Sequence, residues 1–185
     1  MAFLWEMLYE SIHVPDGSEP PSRSILREPD IAHYLEHFGA QAGDDAQVAV
    51  GEDGERIGAA FCRQHDADDP GYGFVSVEIP EVGMAVVAAH RGRGIGRRLL
   101  TDMLERHPTI SLSVDADNVR ATRLYVELGF AAVSTVGTSM TMICERSMPS
   151  NGDGTVGTAE AVRVHDEERS DDDDHHDALP PATLE

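Results

Sequence analysis

The chain has 185 residues, enough for one domain of ordinary size and a tail. It carries 34 acidic residues against 14 basic ones, a formal net charge of -20 that argues against nucleic acid and against anionic membrane surfaces as partners. No stretch approaches the roughly 20 apolar residues of a membrane span, the opening Met1-Ala2-Phe3-Leu4-Trp5-Glu6 lacks the basic start and long apolar run of a signal peptide, and Cys62 and Cys144 lie apart in apolar stretches, as reduced core residues of a cytoplasmic protein would.

In chain order, Phe3 to Ile12 has helical periodicity, with Leu4, Met7, Leu8 and Ile12 on one side. His13 to Ser22 reads as a loop, punctuated by Pro15, Gly17, Pro20 and Pro21. A second helix is expected from about Asp30 to Phe38, presenting Ile31, Tyr34, Leu35 and Phe38 and stopping at Gly39. Gln47 to Val50 and Arg56 to Arg63 flank Gly51-Glu52-Asp53-Gly54, a hairpin pattern. Phe74 to Ile79 alternates like a half-buried strand, and Pro80 separates it from a central strand that begins near Glu81. Met84 to Val87 is a short apolar run that suits a strand covered on both faces.

After Gly96 the period becomes helical, with Leu99, Leu100, Met103 and Leu104 on one face. Ile110, Leu112 and Val114 alternate with Ser111, Ser113 and Asp115 as a strand. Asn118 to Leu128 reads as a helix with Ala121, Leu124, Tyr125 and Leu128 on its core face, capped by Gly129. Ala131 to Thr135 and Ser139 to Ile143 form a closing strand pair. The composition changes near Pro149, which divides the chain into a body, residues 1–148, and an acidic tail, residues 149–185. The tail holds too little apolar surface to order itself beyond short helical content around Ala159 to Glu168. His175 and His176 beside Asp171 to Asp174 read as a solvated acidic run, not a metal site, so no metal is expected. Every basic residue is an arginine; a high-salt cytoplasm and a base composition favouring Arg codons both account for the charge balance.

The turn Arg91-Gly92-Arg93-Gly94-Ile95-Gly96, between the central strand and the helix after it, has the makings of an anion cradle. Its glycines allow unusual dihedrals and close backbone approach. The first helical turn leaves its N–H groups without partners, and the arginines add charge. Phosphate is the natural ligand. A P-loop requires a lysine that the chain lacks, and a dinucleotide fingerprint would need glycine at Arg97, which also disfavours a Rossmann dehydrogenase.

The spacing Arg91-x-x-Gly94-x-Gly96 resembles the acetyl-CoA motif of the GNAT superfamily of N-acetyltransferases. Ser111-Leu112-Ser113-Val114-Asp115 with Asn118, and the run from Ala121 through Tyr125 to Gly129-Phe130, match the family in order and spacing. The resemblance implies an α/β fold, a mixed and mostly antiparallel sheet that splays after its central strand and is flanked by helices. The family's first edge strand would be missing or short here. It implies acetyl-CoA as co-substrate, held by backbone near Ala85, Val86 and Val87, by the turn from Arg91, Gly92, Arg93, Gly94, Ile95 and Gly96 to Arg97, and by Asn118. It implies direct attack by a small-molecule or peptide amine, with Tyr125 as general acid for the departing thiolate and Glu81, or secondarily Glu78, as base. His90 reads as a loop residue. A non-catalytic acyl-CoA-binding regulatory module is the alternative, and a homodimer is compatible with the resemblance.

Overall fold

The computed structural model describes residues 1–41 and 43–146 together with the backbone of Ala161–Arg163. The chain opens in helix α1 (Ala2–Ser11), with no strand ahead of it among the described residues. A short helix α2 (Pro29–Ala32) follows, and then strands β1 (Asp45–Val50), β2 (Arg56–Arg63) and β3 (Glu81–Val86). Helix α3 (Ile95–Arg106), strand β4 (Thr109–Asp115), helix α4 (Val119–Glu127) and the hairpin β5 (Ala131–Val136) and β6 (Ser139–Glu145) complete the body. Residues Ala161–Arg163 form β7.

The sheet order is β5-β6-β4-β3-β2-β1-β7. Neighbours run antiparallel except β3 with β4 and β1 with β7. Helices cover both faces. On one, α3 and α4 bury Leu99, Leu100, Met103, Tyr125 and Leu128 against Ile57, Ile110, Leu112 and Met142. On the other, Leu4, Met7 and Leu8 of α1 pack with Tyr34 and Leu35 against Ala59, Phe61 and Ala85. Strand β2 lies under both layers and is buried along nearly its whole length.

The feature that creates the site is where pairing stops. Strand β3 follows β2 in register from Glu81 to Val86, but meets β4 only at Glu81 opposite Ser111. The two strands then diverge, and the sheet opens into a V. Expecting β3 to be covered on both faces misses this: Met84 and Val86 are only half-buried because they stand on the wall of the opening.

Two expected elements differ. Phe74 to Ile79 is not a strand. Turns close from Phe74 N–H to Gly71 O and from Ile79 N–H to Ser76 O, and Gly73 packs so tightly on the β4 backbone that an added Cβ would lie 2.4 Å from the Leu112 carbonyl carbon. The segment crosses β4 instead of pairing with it, and its alternation marks a loop pressed on the sheet. The second helix is shorter than its periodicity suggests. After Ala32 the chain continues in turns through His37, whose φ is 53°, and Gly39, whose φ is 95°. Tyr34 and Leu35 still reach the core from those turns. Cys62 and Cys144 are buried free thiols, and burial pushes Cys62 up to about 12. The tail beyond 146 lies outside the described residues apart from β7, which is a strand where short helical content is expected.

Candidate active site

A cleft of about 770 Å³ runs through the V. One wall is Met84, Ala85 and Val86 of β3. The second is the turn residues His90, Arg91, Gly92 and Gly94 to Arg97, with Asn118 and with Arg120, Ala121, Leu124 and Tyr125 of α4. The third is the end of α1 and the loop after it, from Tyr9 to Val14 with Asp16, Pro20 and Pro21.

Backbone direction along β3 decides which groups face the cleft. Val87 N–H donates to Ile57 O of β2 at 2.9 Å. Alternation then turns the Ala85 amide and carbonyl toward β2 as well, and those of Met84 and Val86 toward the opening. Of Ala85, Val86 and Val87, therefore, Val86 offers its backbone to the cleft, Ala85 lines it, and Val87 is committed to the sheet. Met84, not singled out from the sequence, is Val86's partner in this role. The alternation rule, applied to the central strand, would have found it.

At the mouth, Gly92 and Gly94 have φ of 89° and 79°, conformations that side chains rarely adopt. Gly94 is the N-cap of α3. The first helical hydrogen bond is Arg98 N–H to Gly94 O, so the amides of Ile95, Gly96 and Arg97 have no partner inside the helix. Gly96 lets α3 press on β3: a Cβ there would sit 3.1 Å from the Met84 methyl carbon. These amides, with positive helix potential behind them, fit a diphosphate.

The cations are partly those expected. Arg91 and Arg97 line the cleft, whereas Arg93 is not among the lining residues. Arg97 is paired with Glu127 of α4. Arg120, missed in the sequence reading, brings a guanidinium nitrogen within 3.2 Å of where a Gly92 Cβ would be. Its place in the first turn of α4 gives no local hint of that reach. Asn118 lines the cleft and also caps its own helix, its side-chain oxygen accepting from Ala121 N–H at 3.2 Å.

Tyr125 is buried, and its ring rests on Phe130 at 5.7 Å between centroids. Its hydroxyl has no hydrogen-bond partner among the described residues, and burial pushes it up to about 12, so it stays protonated and can donate.

Glu81 does not line the cleft. It is almost fully buried at the start of β3, where Tyr34 O–H donates to its Oε1 at 2.8 Å. Tyr34 in turn accepts from Tyr72 N–H at 2.7 Å. Burial pushes Glu81 up to about 7, against the pull of Tyr34 and the Gly73 amide. Tyr34 also stacks edgewise on His33 and His65, and burial drives His65 down to about 4. Residues distant in sequence build this cluster, and only Glu81 of it was singled out. Glu78 is exposed and accepts from Ser76 O–H, and His90 lines the cleft beside Glu55. Among the described residues no group of three or more His, Cys, Asp or Glu side chains is arranged to hold a metal ion.

A model of the acetyltransferase (GNAT) family matches residues 5–130. N-alpha-acetyltransferase 40 of Saccharomyces cerevisiae is 47% identical over 57 residues, covering 24% of this chain and 20% of that protein. Among solved structures, a GCN5-related N-acetyltransferase from Kribbella flavida aligns with TM-score 0.53 and 22% identity, over 78% of this chain and 88% of that one. The protein yncA from Salmonella typhimurium, solved with its cofactor acetyl-CoA, aligns with TM-score 0.51 and 17% identity, over 83% of this chain and 92% of that one.

Proposed function

This chain belongs to the GNAT family of acetyltransferases, and from that premise we propose that it moves an acetyl group from acetyl-CoA to a primary amine by direct attack within a ternary complex. The observation that carries the reading is the cleft between diverging β3 and β4, with a Gly/Arg turn at one end and unpaired strand backbone along its wall. Acetyl-CoA supplies the activated thioester. The turn amides of Ile95, Gly96 and Arg97, with Arg91 and Arg120, would hold the diphosphate. Met84 and Val86 would pair with the pantetheine arm as an added strand would. Their amides also stand where negative charge on the thioester oxygen can be met.

Tyr125 is the proton donor to the departing CoA thiolate. A buried phenol with no competing partner stays protonated and hydrogen-bonds to the sulfur as charge builds there. At about 12 it is a weaker acid than an ordinary thiol at about 8.5, so it stabilises the leaving thiolate before it gives up its proton. Glu81 shares a face of β3 with Ala85 but stands four residues earlier, roughly 13 Å along the strand. The Phe61 ring lies over Gly83 between them. Glu81 therefore does not touch the acceptor amine, and as base it would act only through a relay that passes the Phe61 ring. The acceptor is a small-molecule or peptide amine, entering from the α1 side of the cleft. The protein is read as cytoplasmic, with residues 1–148 as the catalytic body and residues 149–185 as an appended acidic segment.

The test is acetyl-CoA-dependent thiol release across a panel of polyamines, aminoglycosides and peptide N-termini. Tyr125→Phe is expected to slow release roughly 100-fold while the coenzyme dissociation constant changes by less than about twofold. Coenzyme binding with no release for any amine would favour the non-catalytic module. Equal losses in rate and binding would remove Tyr125 from the chemistry.

A further inference from the structure

Arg91 already holds an anion in this structure, and the anion belongs to the protein. Its Nη2 donates to Glu10 Oε2 at 2.8 Å, and its Nε donates to Val86 O at 2.9 Å. Both partners line the cleft. Glu10 stands in the last turn of α1, on the wall facing the Gly/Arg turn. Its carboxylate therefore occupies the cation that a diphosphate would use. The same guanidinium covers the Val86 carbonyl, one of the backbone groups turned toward the opening. A second tie holds the segment in place: His13 Nε2 lies 3.0 Å from Asp117 Oδ1, on the loop leading into α4. Glu10 and His13 thus tie the end of α1 and the loop after it to the wall formed by the Gly/Arg turn and the start of α4.

We propose that Glu10 is an internal competitor for the coenzyme: its carboxylate stands in for phosphate on Arg91, and the diphosphate of acetyl-CoA must displace it to bind. The inference rests on the proposed use of acetyl-CoA at this site and adds a residue that sets its affinity. Displacement costs one ion pair and one hydrogen bond to Val86 O. It returns charge-assisted bonds from Arg91 to phosphate and frees the carbonyl for the pantetheine arm. The pair is partly exposed on both sides, 44% at Arg91 and 29% at Glu10, so its grip is moderate and a dianionic ligand can win.

The full-length protein, Glu10→Gln, Arg91→Gln and the double variant are titrated calorimetrically with acetyl-CoA. Glutamine keeps the shape of Glu10 and removes its charge. Glu10→Gln is expected to bind roughly two- to fivefold more tightly than wild type, the range that a partly exposed ion pair can shift an equilibrium. In the Arg91→Gln background the same change should do nothing, because the competition has lost its object. Unchanged or weaker binding in Glu10→Gln overturns the proposal, as does a gain that persists without Arg91. Absence of binding in wild type and all variants would instead sink the coenzyme assignment beneath it. Unliganded thermal unfolding of each variant reports whether a loss of binding is a loss of fold.

Discussion

At the scale of single residues, Glu81 carries the sharpest prediction about stability. Its carboxyl titrates near 7 in the folded protein because it is buried, although Tyr34 donates to it. In the unfolded chain it titrates near 4.5. The folded state therefore holds this proton more tightly, and the group's contribution to stability is fully present below about pH 4.5. It is lost as the pH rises through about 7, by a few kcal/mol for a shift of this size. Glu81→Gln keeps an oxygen for Tyr34 and cannot ionise. The variant should lose the fall in melting temperature that wild type shows between pH 5 and pH 8. Parallel curves for the two proteins would mean that the carboxyl ionises as freely as in water. The cluster around it shows why part of the site escapes a sequence reading. Tyr34, His65 and Glu81 lie 16 to 47 positions apart, and each alone looks like an ordinary helix, loop or strand residue. By contrast, the turn from Arg91 to Gly96 is legible because its chemistry is local: glycines with positive φ, a helix start and arginines lie within six positions.

At the scale of elements, α1, α3 and α4 follow from periodicity, since each has one apolar face and a clear stop, and the β1–β2 and β5–β6 hairpins follow from short runs on either side of a turn. Gly129, with φ of 96°, ends α4 where expected. The alternation in Phe74 to Ile79 fails because a loop laid on a sheet has an inner and an outer side just as a strand does. The turns after α2, residues 33–41, are held instead by long-range ties, one of them a clamp from β2. Arg63, at the end of β2, pairs with Asp44, and both side chains are almost wholly buried, 3% and 1% exposed. The guanidinium also donates to the carbonyls of His33 and Glu36 and lies over the Phe38 ring at 5.4 Å. It thus satisfies the carbonyls left open where α2 gives way to turns. Arg63→Ala would strand a buried carboxylate and two carbonyls, and should cost about 3–5 kcal/mol in chemical denaturation. Arg63→Met combined with Asp44→Asn removes both charges and should cost clearly less. If the double variant were as unstable as Arg63→Ala, lost packing would outweigh the stranded charge.

For the whole molecule, the question is whether charge repulsion or ion pairing governs the response to salt. The chain holds 34 acidic residues against 14 arginines, so most carboxylates have no cationic partner to meet. Several arginines of the body are held in pairs, such as Arg23 with Glu6, Arg106 with Asp45, and Arg97 and Arg123 with Glu127. Most of these are exposed, and such pairs are worth at most about 1 kcal/mol each. Asp45 is a stronger case: burial pushes it up, but His107 and Arg106 bring it down to about 2, so this contribution is complete above about pH 4. Repulsion, unlike pairing, acts among all the excess charges at once. Raising ionic strength from about 0.01 M to about 1 M shortens the screening length from about 30 Å to about 3 Å. That removes repulsion between distant carboxylates and leaves contacts such as Asp45 with Arg106, at 2.7 Å, mostly intact. The melting temperature at pH 7 should therefore climb with sodium chloride. A variant ending at residue 148 drops 11 acids and two arginines, together with β7, and carries a net charge of -11. It should climb less, because the self-repulsion to be screened is smaller. A melting temperature that falls with salt would put the surface pairs in control of stability, and equal slopes for the two chains would show that the charge beyond residue 148 does not act on the fold.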